Sequence, residues 1–422
     1  MTNRNRAFLK TLFESAVAAA DPLEALRGKL PAPPKGRTVV IGAGKGAAQL
    51  AQAFETLWDG PYEAVVVTRY GYAAPCRNIR VLEAAHPVPD AAGIAAAQAL
   101  KEAVSGLGPD DLVIALICGG GSSLLPDPPE GLTLADLQAL NTALLASGAP
   151  ISVMNDIRKC FSGINGGRLA AHAAPARICN FIVSDVPGDA PGEVASGPTV
   201  PGRKSFAEVA EIIASRGITL PERLMTYLAK GRDDADQPAE SSVETRVIAS
   251  AALSLEAAAE TARAAGVTPW VLSDRIEGEA RDVAQVLAAI SRQVADTGFP
   301  CARPAVLLSG GETTVTLKHK GRGGRNSELQ LALALALDGV DAMTTLAADT
   351  DGIDGSEDNA GAFADGGTAA RMRAAGVDPL AYLQGNDAYS AFAATNDLFV
   401  TGPTGTNVND FRAILIGDVP TG

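Results

Sequence analysis

Histidine is scarce in this 422-residue chain: His86, His172 and His319 are all there are. No HExxH spacing joins them, which removes a helical zinc-hydrolase centre. Cysteine is almost as rare. Cys76, Cys118, Cys160, Cys179 and Cys301 are odd in number and form no CxxC pair; they read as reduced thiols, not as a disulfide framework or a zinc site. No GxSxG occurs, so the nucleophile elbow of an α/β-hydrolase is also missing. Long apolar runs are lacking too, and none approaches the ~20 residues that span a bilayer. In the first segment, MTNRNRAFLKTLFESAVAAADP, Lys10 and Glu14 interrupt the apolar residues. That is the pattern of an amphipathic helix and not of a signal peptide, and the cytoplasm is the default compartment. Positive charge is in deficit: 35 Lys plus Arg against 48 Asp plus Glu give −13. Nucleic acid and anionic membranes are poor partners for such a surface. A small anionic substrate would need cations gathered locally.

What the chain does have is apolar residues (47%) and 44 glycines, enough to build globular cores in two domains. Short Val/Ile/Leu runs at 38–41, 64–68, 79–83, 112–118 and 178–184 alternate with helical patterns at 45–58, 91–104 and 133–146. Such alternation predicts a mostly parallel sheet covered on both faces, a Rossmann-like α/β domain. The polar stretch 230–244, KGRDDADQPAESSVE, is read as the boundary. The expected domains are therefore 1–235 and 245–422, both α/β. In the second, strands are expected at 246–250, 270–273, 305–309, 314–318, 344–347, 398–401 and 413–416. The run 327–337, SELQLALALAL, is apolar nearly all round and predicts a buried helix.

Four glycine loops follow apolar runs. Gly42-Ala43-Gly44-Lys45-Gly46-Ala47 joins a strand to a helix, where free N–H groups favour anions. Lys45 opposes the helix dipole there; a bound anion would offset that conflict, and a solvent-facing lysine is the alternative. The loop fits a relaxed dinucleotide fingerprint, but the next strand ends in Thr68-Arg69 and lacks the acid that would hold an NAD ribose; Arg69 could at best favour NADP. Cys118-Gly119-Gly120-Gly121-Ser122-Ser123 offers backbone donors and two hydroxyls to a carboxylate or phosphate. Ser309-Gly310-Gly311-Glu312-Thr313-Thr314 reads either as a ligand loop with Glu312 or as a hairpin turn. Gly321-Arg322-Gly323-Gly324-Arg325-Asn326-Ser327 places Arg322 and Arg325 just before the apolar helix, a poor choice for structure and a good phosphate clamp.

Carboxylates end two other apolar runs, in Ser184-Asp185-Val186-Pro187-Gly188-Asp189 and in Asp349-Thr350-Asp351-Gly352-Ile353-Asp354-Gly355. Asp189 and Asp351 suit Mg²⁺ held partly through water and phosphates, or a base for a substrate hydroxyl. Ordinary Asp-Gly turns are the competing reading. His86, in His86-Pro87-Val88-Pro89-Asp90, either lines a cleft or packs.

Taken in order, VIGAGKGA (40–47), AAHPVPD (84–90), GGGSSLL (119–125), RKCFSGINGGRLA (158–170), SDVPGD (184–189), ASGPTV (195–200), LSGGETTV (308–315), GRGGRNSELQLALA (321–334), DTDGIDG (349–355) and TGPTGTNVND (401–410) resemble the class II glycerate kinase family. They span nearly the whole chain. The second half resembles a smaller, mixed α/β MOFRL domain at about 303–415. The resemblance implies phosphoryl transfer from ATP to the 2-hydroxyl of D-glycerate with Mg²⁺, in a cleft between the two domains. It implies Lys45 and Arg325 as active-site cations; the glycine loops themselves add Gly44, Gly120, Gly121, Ser122, Ser123, Arg322 and Glu312 as the expected contacts of substrate and phosphate. A homodimer is the working expectation. Two positions depart from the pattern: Asn165 stands where Lys is common and Cys160 where His is frequent, leaving one fewer cation.

Two other readings stay open. Some relatives carry the label hydroxypyruvate reductase, which would use NADPH, although no Arg–Glu–His constellation is recognisable. A small-anion sensor would bind without turnover.

Overall fold

The structure, a computed structural model, describes residues 3–231 and 243–421. Most of the expected boundary segment, 230–244, lies outside the described residues. The chain divides into two compact units, Ala25–Ile248 and the pair of segments Met1–Glu24 with Ala249–Gly422.

The first unit carries β1 (Thr38–Ala43), β2 (Glu63–Arg69), β3 (Arg80–Ala84), β4 (Leu112–Cys118), β5 (Arg177–Val183) and β6 (Val243–Ala249), in the sheet order β3-β2-β1-β4-β5-β6. The pairs β1–β2, β2–β3, β1–β4 and β4–β5 are all parallel. Both β1 and β4 are buried from end to end, which is why they read as unbroken apolar runs and not as alternating ones. The chain winds outward from β1 to β3, then returns to continue on the other side from β4. Strand order thus reverses between β1 and β4, and crevices beyond the carboxyl ends at such a reversal are where open α/β sheets take their ligands. The helix expected at 133–146 is present as Leu134–Ala146 with a Thr133/Asp136 capping box. It joins Ile151–Cys160, Phe206–Ser215 and Glu222–Ala229 around Leu140, Leu144, Ile157, Phe161, Val209 and Leu224. This helical cluster was not expected from the sequence.

The second unit has β7 (Thr268–Glu279), β8 (Ala305–Thr314), β9 (Met343–Asp349), β10 (Gly361–Asp365), β11 (Leu398–Phe399) and β12 (Asp410–Ile416), ordered β11-β10-β9-β12-β8-β7. Only β7–β8 is parallel; the other pairs are antiparallel. Helices cover both faces, as the alternation of side chains requires. Along β12, Phe411, Ala413 and Leu415 join the core under Asn3–Ala19 and Ala251–Ala264. Ile414 and Ile416 turn the other way, toward Ala280–Thr297 and Arg325–Ala336. The last helix is buried at every position from Asn326 to Ala334, as its composition predicts.

Three expectations need correction. The N-terminal helix belongs with the second unit and not with residues up to 235. Its stripe of Phe8, Leu9, Leu12, Phe13 and Ala16 packs on Leu255, Ala258, Leu346 and Phe411; Lys10 and Glu14 pair on the exposed side at 3.6 Å. Conversely β6, placed by the sequence at 246–250 in the second domain, completes the first sheet. Finally, 305–309 and 314–318 are not two strands about a Gly-Gly turn. One strand runs through Gly310 and Gly311, because β7 lies against it. Gly311 has φ 123°, and a Cβ there would overlap the backbone of Ile276.

Candidate active site

In the first unit the two leading glycine loops are bound edge to edge. The N–H of Lys45 donates to the carbonyl of Gly119 at 2.9 Å, and that of Gly44 donates to Val67 O at 3.2 Å. Thr68 Oγ1 donates to Lys45 O at 3.0 Å. The adjacency of β1 and β4 makes this inevitable, since the loops continue neighbouring strands past the same sheet edge. Gly120 adopts a left-handed φ of 81°, which an L side chain resists. Gly121 packs against Ala195, to whose methyl a Cβ at 121 would come within 2.6 Å.

The segment carrying Ala195 and Ser196 is strained: both have positive φ, 53° and 58°, although neither is glycine. Ser196 Oγ lies 2.8 Å from Ser122 Oγ, while Ser123 Oγ donates to Gly120 O at 3.2 Å. Backbone strain of this kind gathers at ligand sites. The sequence reading passed over Ser196, and nothing in ASGPTV announces a left-handed serine. Asp185 lies against Gly119. Burial raises its carboxyl pKa, with Lys45 pulling the other way. His86 is pushed down to about 4, first by burial and then by the charges of Lys45 and Arg69. It is neutral at pH 7.

The second unit gathers charge around Arg325, the first residue of its helix. Its Nε donates to Asp410 Oδ1 at 2.7 Å, one terminal nitrogen to Asp349 Oδ2 at 2.8 Å and the other to Glu312 Oε1 at 3.2 Å. Burial would lower the pKa of Arg325; Asp410, Asp349 and Glu312 outweigh it and raise it. The carboxyl of Asp349 is raised by burial and then by Asp351, against Arg325. The helix start itself is capped from a distance: Asp354 accepts the N–H of Asn326 at 3.0 Å and of Ser327 at 2.7 Å.

These contacts amend the sequence reading of the fourth loop. A bound anion is not needed to offset Arg325, because the protein's own carboxylates do so. Nor are the amides of Asn326 and Ser327 open to phosphate. Arg322 also departs from the clamp: it is exposed, pairs with Glu357 Oε2 at 3.0 Å through Nε, and stacks over Tyr389 at 4.3 Å. Asp410 and Arg412 carried no signal as separate residues.

Among the described residues, no group of three or more His, Cys, Asp or Glu is placed to hold a metal. A magnesium ion asks for less, because it keeps several waters and needs one or two carboxylates plus phosphate oxygens. Of the two carboxylates expected to meet that demand, Asp351 is partly exposed with Oδ1 taken by Ile353 N–H at 2.8 Å, and Asp189 sits in a turn with φ 55°.

Comparison with known proteins agrees with this architecture. Residues 8–229 match the domain of unknown function DUF4147, and 305–410 match the MOFRL family. A D-glycerate 2-kinase of Thermotoga maritima is 36% identical over 96% of this chain and 97% of its own length. A glycerate 2-kinase of Pyrococcus horikoshii is 36% identical over 90% of this chain and 88% of its own. A protein of Agrobacterium vitis provisionally named a hydroxypyruvate reductase is 52% identical over 98% of this chain and 94% of its own. The crystal structure of a T. maritima glycerate kinase superposes with a TM-score of 0.90 at 35% identity, covering 98% of this chain and all of that one. The chain belongs to the glycerate kinase family in which a DUF4147 domain precedes a MOFRL region.

Proposed function

We propose that this chain is a glycerate 2-kinase, which moves the terminal phosphoryl group of ATP to the 2-hydroxyl of D-glycerate and gives 2-phosphoglycerate. One observation carries the reading within the family: Lys45 and the Gly120 loop stand together where strand order reverses between β1 and β4. Phosphoryl transfer is mainly a matter of positioning and charge stabilisation, and this is a place of backbone donors, hydroxyls and one ammonium group.

Lys45 then stabilises charge on the phosphoryl group, and Gly44, Gly120, Gly121, Ser122 and Ser123 hold anionic oxygens. Arg325 adds a second cation to the reaction, with Glu312 as a further contact; Arg322, held on Glu357 and Tyr389, is left out of it. Asp189 or Asp351 would hold the magnesium ion, which when bound neutralises phosphate oxygens. Neutral His86 is free of the charge that would repel Lys45. Five unpaired thiols suit a reducing compartment, and the cytoplasm is the one proposed.

The reductase name of the Agrobacterium relative gives the competing reading its support. Against it, Arg69 at the end of β2, the residue that could meet an NADPH 2′-phosphate, has its guanidinium stacked over Tyr72 at 3.5 Å. The test runs both reactions side by side. With D-glycerate, ATP and Mg²⁺, ADP is released and phosphorus NMR shows the 2-phosphate; with hydroxypyruvate, NADPH absorbance holds steady. NADPH loss without ADP release would reverse the assignment.

A further inference from the structure

Asp349 and Asp410 are direct partners across the antiparallel β9–β12 pair. Like charges placed opposite one another on adjacent strands repel, and Arg325 bridges them. The two carboxylates are not equivalent. Asp349 accepts from Arg325 and, through its other oxygen, from Asp351 N–H at 3.0 Å. Asp410 accepts five hydrogen bonds. Oδ1 takes Arg325 Nε and Asn326 Nδ2, at 2.7 and 2.8 Å. Oδ2 takes Thr313 N–H at 3.2 Å, Thr313 Oγ1 at 3.4 Å and the guanidinium of Arg412. The Asp410 side chain is fully buried, so its carboxylate cannot turn without forfeiting several of these bonds.

Arg412 follows on the same face of β12, buried, with one terminal nitrogen on Gly310 O at 3.2 Å and its Nε without a partner. A buried ion pair is weak evidence for stability, since apolar residues of similar volume often serve a fold as well or better. One that strands a guanidinium nitrogen is weaker still. What the arrangement does achieve is orientation. Arg325 is gripped by Nε and one terminal nitrogen from the buried side, and its remaining nitrogen donates to Glu312, whose side chain is 52% exposed.

We propose that Asp410, clamped by Arg412, Thr313 and Asn326, is a positioning residue that fixes the outward edge of the Arg325 guanidinium for the transferred phosphoryl group. The proposal rests on the kinase reading above and on Arg325 acting in it. A cation aimed in advance needs no reorganisation as charge develops, so Asp410 governs turnover more than binding.

A double-mutant cycle with Asp410→Asn and Arg325→Lys tests this. Lysine keeps the charge at 325 but has no Nε for Asp410. Asp410→Asn in the wild-type background is expected to lower kcat roughly 30-fold with the nucleotide KM within about twofold, yet to cost only about threefold in the Arg325→Lys background. Should Asn at 410 leave Arg412 too exposed to repulsion for folding, the same cycle is run with Asp410→Asn/Arg412→Met, which removes both buried charges. Equal losses of kcat in the two backgrounds, or an unchanged kcat, overturn the proposal while leaving the kinase reading intact. Full activity of Arg325→Lys/Asp410→Asn overturns it as well. A wild-type enzyme that releases no ADP removes the kinase reading and this inference together.

Discussion

Lys45 and His86 converge on one glycine. A Cβ at Gly120 would stand 3.0 Å from His86 Nε2 and 3.0 Å from both Cγ and Cε of Lys45. The two side chains therefore share the space above a residue that has none, and the ammonium group has a neutral neighbour where a protonated imidazole would repel it.

Gly120→Ala should damage this arrangement twice. The methyl group presses on both side chains, and φ of 81° strains any L residue by about 1 kcal/mol or more. Loss of most ADP release, with a melting temperature lowered by only a few degrees, is the expected result. Kinetics together with thermal unfolding report it, and a fully active alanine variant would separate Gly120 from the site.

The imidazole gives a stability signature in pH. Burial, Lys45 and Arg69 lower His86 to about 4, whereas an unfolded histidine titrates near 6.5. Between those values the unfolded chain binds the extra proton and the folded one does not, so stability falls as pH drops from 6.5 toward 4. The full shift would correspond to roughly 3 kcal/mol, and solvent screening of this half-buried ring leaves the loss attributable to His86 below that. His86→Gln cannot take up this proton. Urea unfolding at pH 7 and pH 4.5 should show a wider gap for wild type than for the variant; equal gaps would contradict the half-buried, neutral imidazole.

Lys45→Met removes the ammonium group while keeping a chain of similar length. A single electrostatic stabiliser of this kind is worth roughly 100- to 1,000-fold in kcat. Turnover should fall by that order while the far-ultraviolet circular dichroism is retained, because the fold's use of residue 45 is through its backbone N–H on Gly119 and its carbonyl on Thr68. Turnover close to wild type would take Lys45 out of the chemistry.

The parts of this molecule visible in its sequence are those that local patterns determine. Unbroken apolar runs gave away β1 and β4, and the glycines after them marked where the chain must turn beyond a parallel sheet. SELQLALALAL could only be a helix enclosed on all sides. The N-terminal stripe of Phe8, Leu12 and Phe13 reveals an apolar face but not which core receives it, and here the receiving helix, Ala251–Ala264, is far along the chain. Asp410 is the sharper case. In isolation it closes a Thr-Gly-Asn-rich segment and looks like a turn residue; its meaning comes from strand register, which sets it opposite Asp349 and beside Thr313. Pairing between distant strands leaves no mark on either strand's composition.

Asp354 provides a last test, because it separates the support of Arg325 from its action. Arg325 begins a helix whose next two amides, Asn326 and Ser327, donate to the buried Asp354 carboxylate, as does Ser327 Oγ at 2.6 Å. Replacing a helix cap costs about 0.5–2 kcal/mol, and stranding buried donors adds about 1–3 kcal/mol. Asp354→Ala should therefore lower unfolding stability by about 3 kcal/mol. Asp354→Asn keeps an oxygen for one amide but turns an amino group toward the other, so it should lose part of that amount. The Nε and terminal nitrogen of Arg325 remain on Asp410 and Asp349 in both variants, and kcat measured well below the melting temperature should stay within about threefold of wild type. A large fall in kcat without loss of stability would mean that Asp354 serves the reaction directly and not the helix that presents Arg325.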